Sequence, residues 1–315
     1  MNVSRTLFLF FAVTMIAGCQ SGYESAQPGA QSSLTFHANG SWMMPGTSEE
    51  PLIYTSASYV YIYTYSGDKV GELMGFSSPA GLCSDSNGDV YVTDAGTDLI
   101  YEYARGGTKP IDVLDDSGQV PSSCAVDPTT GDIAVANLGL PPFGGKSGNL
   151  LVYPPGSSQT PVAYTSPNII SYAFCDYDAA GNLYVDGVSQ KHGLALAELP
   201  KGGSFIGVQL AGVIHRGHRA GGLQWDGQDV AIADSLKNVI YRIAVSGNRG
   251  KIVDMIHIDR WRRHYEIEFS IQGQKLLFPF DGELGFYNYP AGRHAKTGFF
   301  GSIGSRITVS APQSP

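Results

Sequence analysis

The sequence predicts an all-β fold, a six-bladed β-propeller of four-stranded blades over residues 41–310. A hairpin with a polar corner recurs along the chain about every 43 to 50 residues, the period of four-stranded propeller blades. The composition of 40 Gly, 18 Pro and 18 Tyr suits short strands joined by tight turns. Apolar residues do not keep a helical period over long windows, so we expect very little helix.

The clearest hairpin lies at residues 79–94. Leu82 to Ser84 form an expected first strand, Asp85-Ser-Asn-Gly88 a tight corner, and Val90 to Val92 a second strand that ends near Asp94. Asp, Asn and Gly are the residues that tight turns favour. Weaker copies follow at residues 123–137, 174–186, 222–234 and 266–278.

Each unit continues with a third strand, a Gly- or Pro-rich turn and a fourth, edge strand. The expected third strands are Leu99–Tyr103, Leu150–Tyr153, Ala195–Leu199, Val239–Ala244 and Leu284–Tyr289. A sixth unit at residues 52–74 lacks a first strand. We expect Gly304–Ser310 to supply it, which would close the ring and leave no open sheet edge there; Ser41–Pro45 is the rival for that position.

These hairpins resemble the NHL type of six-bladed propeller over about residues 41–310. The matching residues are Pro79-x-Gly81, the corner Asp85-x-x-Gly88 and Asp94, with weaker copies in the later units. The resemblance implies a fold and leaves the function open, because such propellers serve as scaffolds, lyases and hydrolases alike.

The N-terminus reads as a lipoprotein signal peptide, residues 1–18. Arg5 precedes an apolar run from Leu7 to Ile16 that is too short to span a bilayer as a helix of the mature protein. Ile16-Ala-Gly-Cys19 then resembles a bacterial lipobox, which implies lipidation of Cys19; the alternative is an ordinary secretory signal cleaved near Gly18. Residues 19–40 form an expected flexible tether, and residues 311–315 a tail.

We therefore expect an exported, membrane-anchored lipoprotein, in the outer membrane if the cell has one and otherwise at the cell surface. The net charge of −8 disfavours binding to nucleic acid. We expect a monomer whose partner is an envelope protein, an acidic glycan or a small anion.

Apart from Cys19, the chain contains three cysteines. They lie in its expected exported part, a setting that permits disulfides. Cys83 stands two residues before its corner Asp, whereas Cys124 and Cys175 stand three before theirs. Because side chains alternate along a strand, Cys83 and Cys124 can meet between neighbouring blades, and Cys175 stays free. The alternative is three small buried apolar residues. A reactive cysteine is not expected inside an apolar strand.

The sequence predicts no catalytic residue and no metal ligand set. Strand-end residues Asp94, Asn137, Asp186 and Asp234 suggest either a ring of metal ligands or, as we favour, caps of tight turns. A resemblance to gluconolactonase-type propellers would imply metal ligands at the five positions that lead into the first strands. Those positions hold Ala80, Ser122, Ala173, Gly221 and Tyr265, which are not the hard oxygen ligands that a divalent cation prefers. No cofactor is expected, although a divalent metal in the channel stays open, and a metal-assisted lactonase or lyase is the alternative function.

The most unusual local feature is basic. Five of the eleven arginines lie in two short segments, each placed between a fourth strand and the next first strand. The segments contain Arg216, His218 and Arg219 in one, and Arg260, Trp261, Arg262, Arg263 and His264 in the other. Guanidinium groups bind carboxylate, sulfate or phosphate in a bidentate manner, and Trp261 offers a stacking surface. We expect the two segments to bind an anionic ligand side by side; the alternatives are solvated charge, or a metal at His215 and His218.

A row of tyrosines marks the first unit: Tyr54, Tyr59, Tyr61, Tyr63 and Tyr65. Core and edge packing, with alternate members facing the next sheet, is the favoured role, and binding of sugar rings by the exposed members is the alternative. Taken together, the sequence predicts a binding or scaffold module.

Overall fold

The structure is a computed structural model that describes residues 40–139, 147–156, 160–190, 193–210, 220–234, 236–259, 267–280 and 282–312. The expected signal peptide and almost all of the expected tether lie outside these residues. So do both basic segments. The described residues belong to one compact unit.

The described chain is all-β and propeller-like, with a single 3₁₀ turn at Thr47–Glu49 as its only helix. The first sheet contains β1 (Trp42–Met43), β2 (Leu52–Ser56), β3 (Val60–Tyr63) and β4 (Lys69–Leu73). The second contains β5 (Pro79–Ser84), β6 (Val90–Asp94), β7 (Leu99–Tyr103) and β8 (Pro110–Asp115). The third contains β9 (Pro121–Val126), β10 (Ile133–Asn137), β11 (Leu150–Tyr153) and β12 (Val162–Tyr164).

An eight-stranded sheet follows. It contains β13 (Ile169–Tyr177), β14 (Leu183–Ser189), β15 (Leu194–Leu199), β16 (Ile206–Leu210), β17 (Leu223–Trp225), β18 (Val230–Asp234), β19 (Val239–Ser246) and β20 (Arg249–His257). The last sheet contains β21 (Ser270–Gln272), β22 (Lys275–Phe280), β23 (Glu283–Asn288) and β24 (Thr297–Phe300). A final strand, β25 (Arg306–Ser310), joins the first sheet.

Polar corners between first and second strands fold for a local reason. The Asp85 carboxylate accepts hydrogen bonds from the backbone N–H groups of Asn87 (2.9 Å) and Asp89 (2.8 Å). Gly88 takes a positive φ of 85°, which costs a glycine little. The corner that begins at Asp178 repeats the same pattern of bonds. These corners hold each first strand against its second strand.

The eight-stranded sheet differs from the expected series of separate four-stranded blades. Its strand order is β13-β14-β15-β16-β20-β19-β18-β17, two antiparallel units of four strands that meet at their outer edges. The contact is a short parallel pairing of Gln209 with Arg249 and of Leu210 with Gly250. These two residue pairs join into one sheet two four-stranded units that the repeat pattern predicts to be separate. The described strands therefore form five sheets.

The two ends of the described chain meet in the first sheet. Five residue pairs, from Leu52 with Ser310 to Ser56 with Arg306, join β2 to β25 in antiparallel fashion. The C-terminal strand thus takes the inner position of this sheet, as the sequence predicts. The rival segment contains β1, which instead pairs with β4 at the outer edge and is the fifth strand of the first sheet.

The core lies between neighbouring sheets. All residues of the second strands β6, β10 and β18 are buried, because a sheet covers each of their two faces. One cluster joins Cys83 to Cys124 across the second and third sheets, and another joins Ala125 to Cys175 across the next pair. We call the strands next to the centre of the molecule the inner strands; they are β5, β9, β13, β17, β21 and β25. Each inner strand therefore contributes side chains alternately to the two interfaces that flank it.

Candidate functional site

A polar cavity of about 220 Å³ lies where the inner strands converge. Residues in or next to six strands, β5, β9, β13, β17, β21 and β25, line it. They include Ser84, Cys124, Asp176, Gln224, Glu268, Gln272 and Thr308. A single cavity lined by all six strands indicates that they surround one central channel.

Side chains join neighbouring inner strands around this channel, beginning with β5, β9 and β13. Cys83 and Cys124 form a disulfide between β5 and β9, with Sγ atoms 2.06 Å apart and Cα atoms 5.6 Å apart. The thiol of Cys175 is free and buried. Its backbone N–H donates to Ser123 Oγ at 3.4 Å, which joins β13 to β9.

The next two junctions use an acid and an amide. A carboxylate oxygen of Asp176 accepts a hydrogen bond from the Trp225 N–H at 2.8 Å, which joins β13 to β17. The Gln224 side chain accepts from the Ile271 N–H at 2.6 Å and donates to the Ile271 carbonyl at 3.3 Å. It therefore replaces a strand pairing between β17 and β21.

The last two junctions close the ring. The Glu268 carboxylate accepts a hydrogen bond from the Ile307 N–H at 3.3 Å, which joins the residues before β21 to β25. Ser84 Oγ donates to the Val309 carbonyl at 3.0 Å, which joins β25 to β5. Every neighbouring pair of inner strands is thus connected by at least one side chain.

Two carboxyl groups in the channel have unusual proton affinity. Burial raises the pKa of Asp176 to about 7, although backbone N–H donors partly oppose the shift. Burial also raises the pKa of Glu268 to about 7, with the nearby Arg306 guanidinium opposing and the Asp176 charge adding to the effect. The channel therefore gains negative charge as the pH rises through neutrality. Sequence reasoning missed both acids; an acid inside an apolar inner strand, as at Asp176, is the signal that could have found one of them.

Cys175 is not a candidate nucleophile. Burial, with a smaller contribution from Asp176, raises the pKa of its thiol far above the ordinary range. Because the thiolate is the reactive form, a thiol with so high a pKa is a poor nucleophile at neutral pH.

Two of the four strand-end residues, Asp94 and Asp234, bind backbone N–H groups of the turn that follows their strand, as their capping role predicts. Asp94 accepts from the N–H groups of Ser77 (2.8 Å), Ser78 (2.6 Å) and Gly96 (3.1 Å). Asp234 accepts from the N–H groups of Leu236 and Lys237. The prediction is wrong for Asp186, which lies inside β14 and accepts from the N–H of Phe174 on β13 because the pairing of these strands is irregular there.

Asn137 differs from the other strand-end residues. Its amide donates to the side chains of Asn149 (2.9 Å) and Asp116 (3.4 Å) instead of accepting from a turn. Asp116 is buried, which raises its pKa to about 7. This buried cluster holds the β8–β9 connection against the third sheet.

The positions relevant to a lactonase offer no metal centre within the described residues. Ala80 and Ser122 lie near the starts of β5 and β9, Ala173 lies inside β13, and Gly221 precedes β17; Tyr265 lies outside the described residues. In the described part of the chain, no group of three or more His, Cys, Asp and Glu side chains is placed to hold a metal ion.

The tyrosine row of the first sheet packs mainly against its neighbours. Tyr54 and Tyr63 are buried, and Tyr63 packs on Phe299 with ring centroids 5.2 Å apart. Tyr61 lies beneath the Lys69 ammonium, which is 4.7 Å from its ring centroid. The favoured packing role is confirmed for these three residues.

The predicted anion-binding residues lie outside the described residues, as does Cys19. The structure does describe the residues that follow each basic segment, and a hydrogen bond joins the two stretches. The backbone N–H of Gly222 donates to the carbonyl of Ile267 at 2.7 Å. Gly222 is three residues beyond the segment 211–219, and Ile267 directly follows the segment 260–266.

Comparisons with known proteins agree on the fold. A family model for the NHL repeat matches residues 76–98, which contain the clearest hairpin. The chain is similar to a solved structure described as a nidogen/laminin complex, with a TM-score of 0.67 and 12% identity over 84% of this chain and 100% of that chain. It is also similar to a protein of unknown function from Bacteroides caccae, with a TM-score of 0.58 and 12% identity over 83% of this chain and 99% of that one. No curated protein matches.

At 12% identity these likenesses concern the fold alone, a propeller-like arrangement. Within the described residues, no helix is long and apolar enough to cross a membrane.

Proposed function

We propose that this protein is a six-bladed β-propeller that acts as a lipid-anchored binding module of the cell envelope. The six inner strands that line one channel support the blade number, since each belongs to a separate antiparallel unit of four strands, with β1 added to the first. In this proposal the eight-stranded sheet is two blades joined at their rims. Cys19 carries the lipid, and residues 20–40 tether the propeller to the membrane.

The binding face is the one that bears the two basic segments. The hydrogen bond between Gly222 and Ile267 supports their proximity, because it ties together the chain just beyond each segment. Arg216 and Arg219 from one segment and Arg260, Arg262 and Arg263 from the other would then present five guanidinium groups together. Such a cluster suits carboxylate, sulfate or phosphate groups on a partner protein or an acidic glycan.

The side chains of the channel support the same conclusion. Asp176, Gln224 and Glu268 already bind the backbone of a neighbouring inner strand. They act as structural links, so the loops at the rim are the better candidates for recognition.

Reversing the charge of all five arginines tests this function. Binding of an acidic polysaccharide to the lipid-free protein should fall at least tenfold, and binding of the wild type should weaken as salt is added. A control variant reverses exposed basic residues elsewhere: Lys109, Lys201, Arg249 and Lys251. If the five-arginine variant bound envelope extracts and acidic glycans as well as the control does, the proposed face would be wrong.

The enzyme alternative, a metal-assisted lactonase or lyase, makes a different prediction. It requires a stoichiometric divalent ion after mild purification and turnover on a panel of lactones. The binding module requires neither, and a structural spacer without a ligand would fail both the binding and the turnover assays.

A further inference from the structure

A second cavity lies between the last sheet and the first sheet. It has a volume of about 190 Å³ and is lined by Tyr65, Lys275, Phe286, Tyr287, Asn288, Lys296 and Thr297. Lys275 and Asn288 pair at one end of the last sheet, and Ile267 leads into the opposite end. The cavity therefore belongs to a different part of the surface from the face proposed above.

The charged side chains that the structure describes in the lining are both lysines. Lys275 and Lys296 are both exposed, and neither takes part in any ion pair among the described residues. Among the residues that the structure describes, none of those in the lining is acidic. Two ammonium groups without carboxylate partners are notable in a protein with a net charge of −8, because acids outnumber bases over the chain as a whole.

The wall of the cavity is aromatic. The rings of Tyr65 and Phe286 lie 5.7 Å apart and are tilted by 30°. The Lys275 ammonium is 5.6 Å from the Tyr65 ring centroid, an arrangement that holds the charge at the edge of the aromatic wall. Burial raises the pKa of the Tyr65 hydroxyl to about 12, so this group stays protonated and can donate a hydrogen bond at neutral pH.

We infer that this cavity binds an acidic monosaccharide unit, with its carboxylate or phosphate group between Lys275 and Lys296. The C–H face of a sugar ring packs on aromatic side chains, while its hydroxyl groups need hydrogen-bonding partners such as Asn288 and Thr297. The volume is below the roughly 300–1,000 Å³ of pockets that take drug-sized ligands, which suits a single ring. The inference goes beyond the proposed function, because it uses other residues at another part of the surface.

Isothermal titration of the lipid-free protein with D-glucuronate, glucose 6-phosphate and glucose tests the inference. At least one of the two charged sugars should bind with one site per chain and at least tenfold more tightly than glucose. The relative affinity of the two charged sugars then separates a carboxylate site from a phosphate site. Equal binding of all three sugars, or no saturable binding at 10 mM, would overturn the assignment.

Variants place the binding at this cavity. K275M/K296M should lose at least tenfold in affinity, and the charge-retaining K275R/K296R should keep most of it. K109M/K251M removes the same charge from exposed positions elsewhere and should bind like the wild type. The five-arginine variant should also keep the sugar affinity, which separates this site from the proposed function. Unchanged affinity in K275M/K296M, with an unchanged melting temperature, would refute the site.

Discussion

A second disulfide can be designed from the geometry of the first. Cys124 Sγ lies 3.9 Å from the carbonyl of Tyr91, the residue that pairs with Cys83 across the second sheet. Cys175 Sγ lies at the same distance, 3.9 Å, from the carbonyl of Ala134, which pairs with Ala125 across the third sheet. Ala125 is therefore the positional equivalent of Cys83, one interface further around the ring. The substitution Ala125→Cys should create a bridge to Cys175.

The expected gain follows from the length of the closed loop. Residues 125 and 175 are about 50 positions apart, for which the chain-entropy relation gives about 4 kcal/mol. This corresponds to a rise of roughly 5 to 10 °C in the melting temperature. When the variant is reduced, the added sulfur has to fit into a packed interface, so the reduced form should be less stable than the wild type by about 1 to 3 kcal/mol.

Peptide mapping under non-reducing conditions and thermal unfolding with and without reductant provide the readouts. The matched control is Val126→Cys, whose side chain lies in the interface on the other side of β9 and should leave Cys175 free. A Cys175 thiol that stays free in the oxidised Ala125→Cys variant would refute the arrangement of the inner strands.

Three further predictions concern stability. Cys83→Ser/Cys124→Ser should lower the free energy of unfolding by about 4 kcal/mol in urea titrations, because the bond spans 41 residues; a loss below 1 kcal/mol would count against a formed bridge. Glu268 has a pKa raised to about 7 when folded, so the unfolded state releases its proton first and stability should fall as the pH rises from 4.5 to 7. Relative to wild type, Glu268→Gln should therefore gain about 3 kcal/mol over that range, and a difference independent of pH would exclude the shift. Gly81→Ala should cost about 2 kcal/mol, since its Cβ would lie 2.4 Å from Ser123 Cα; chemical unfolding indistinguishable from wild type would show that β5 and β9 are not so close.

The sequence predicted most of the strands because each hairpin is specified locally. The expected third strands Leu99–Tyr103 and Leu150–Tyr153 coincide with β7 and β11. The inner position of the C-terminal strand was also predictable, because the first unit lacked one strand and the chain ended with an unpaired one.

The joining of two four-stranded units into one sheet was not predictable from the repeat pattern. The parallel pairing of β16 with β20 involves two pairs of residues, too few to leave a periodic signal. It depends on how closely the outer edges of the two units approach, which the three-dimensional packing decides.

The interior of the channel and the second cavity were missed for a related reason. Asp176 finds its partner, the Trp225 N–H, 49 residues later, and Glu268 finds Ile307 after 39 residues. The second cavity combines Tyr65 with Lys275 and Lys296 from the other end of the chain. Such sites exist only once the ring has closed.

Amide hydrogen exchange on β2 and β25 tests most directly whether the two ends of the described chain close one ring. The amides of both strands should exchange only by global unfolding, at the rate of the buried second strands. A variant without residues 304–315 should lose protection in β2 and in the adjoining first sheet. Rapid exchange of β25 in the intact protein, or full protection of β2 after the deletion, would contradict the closed ring.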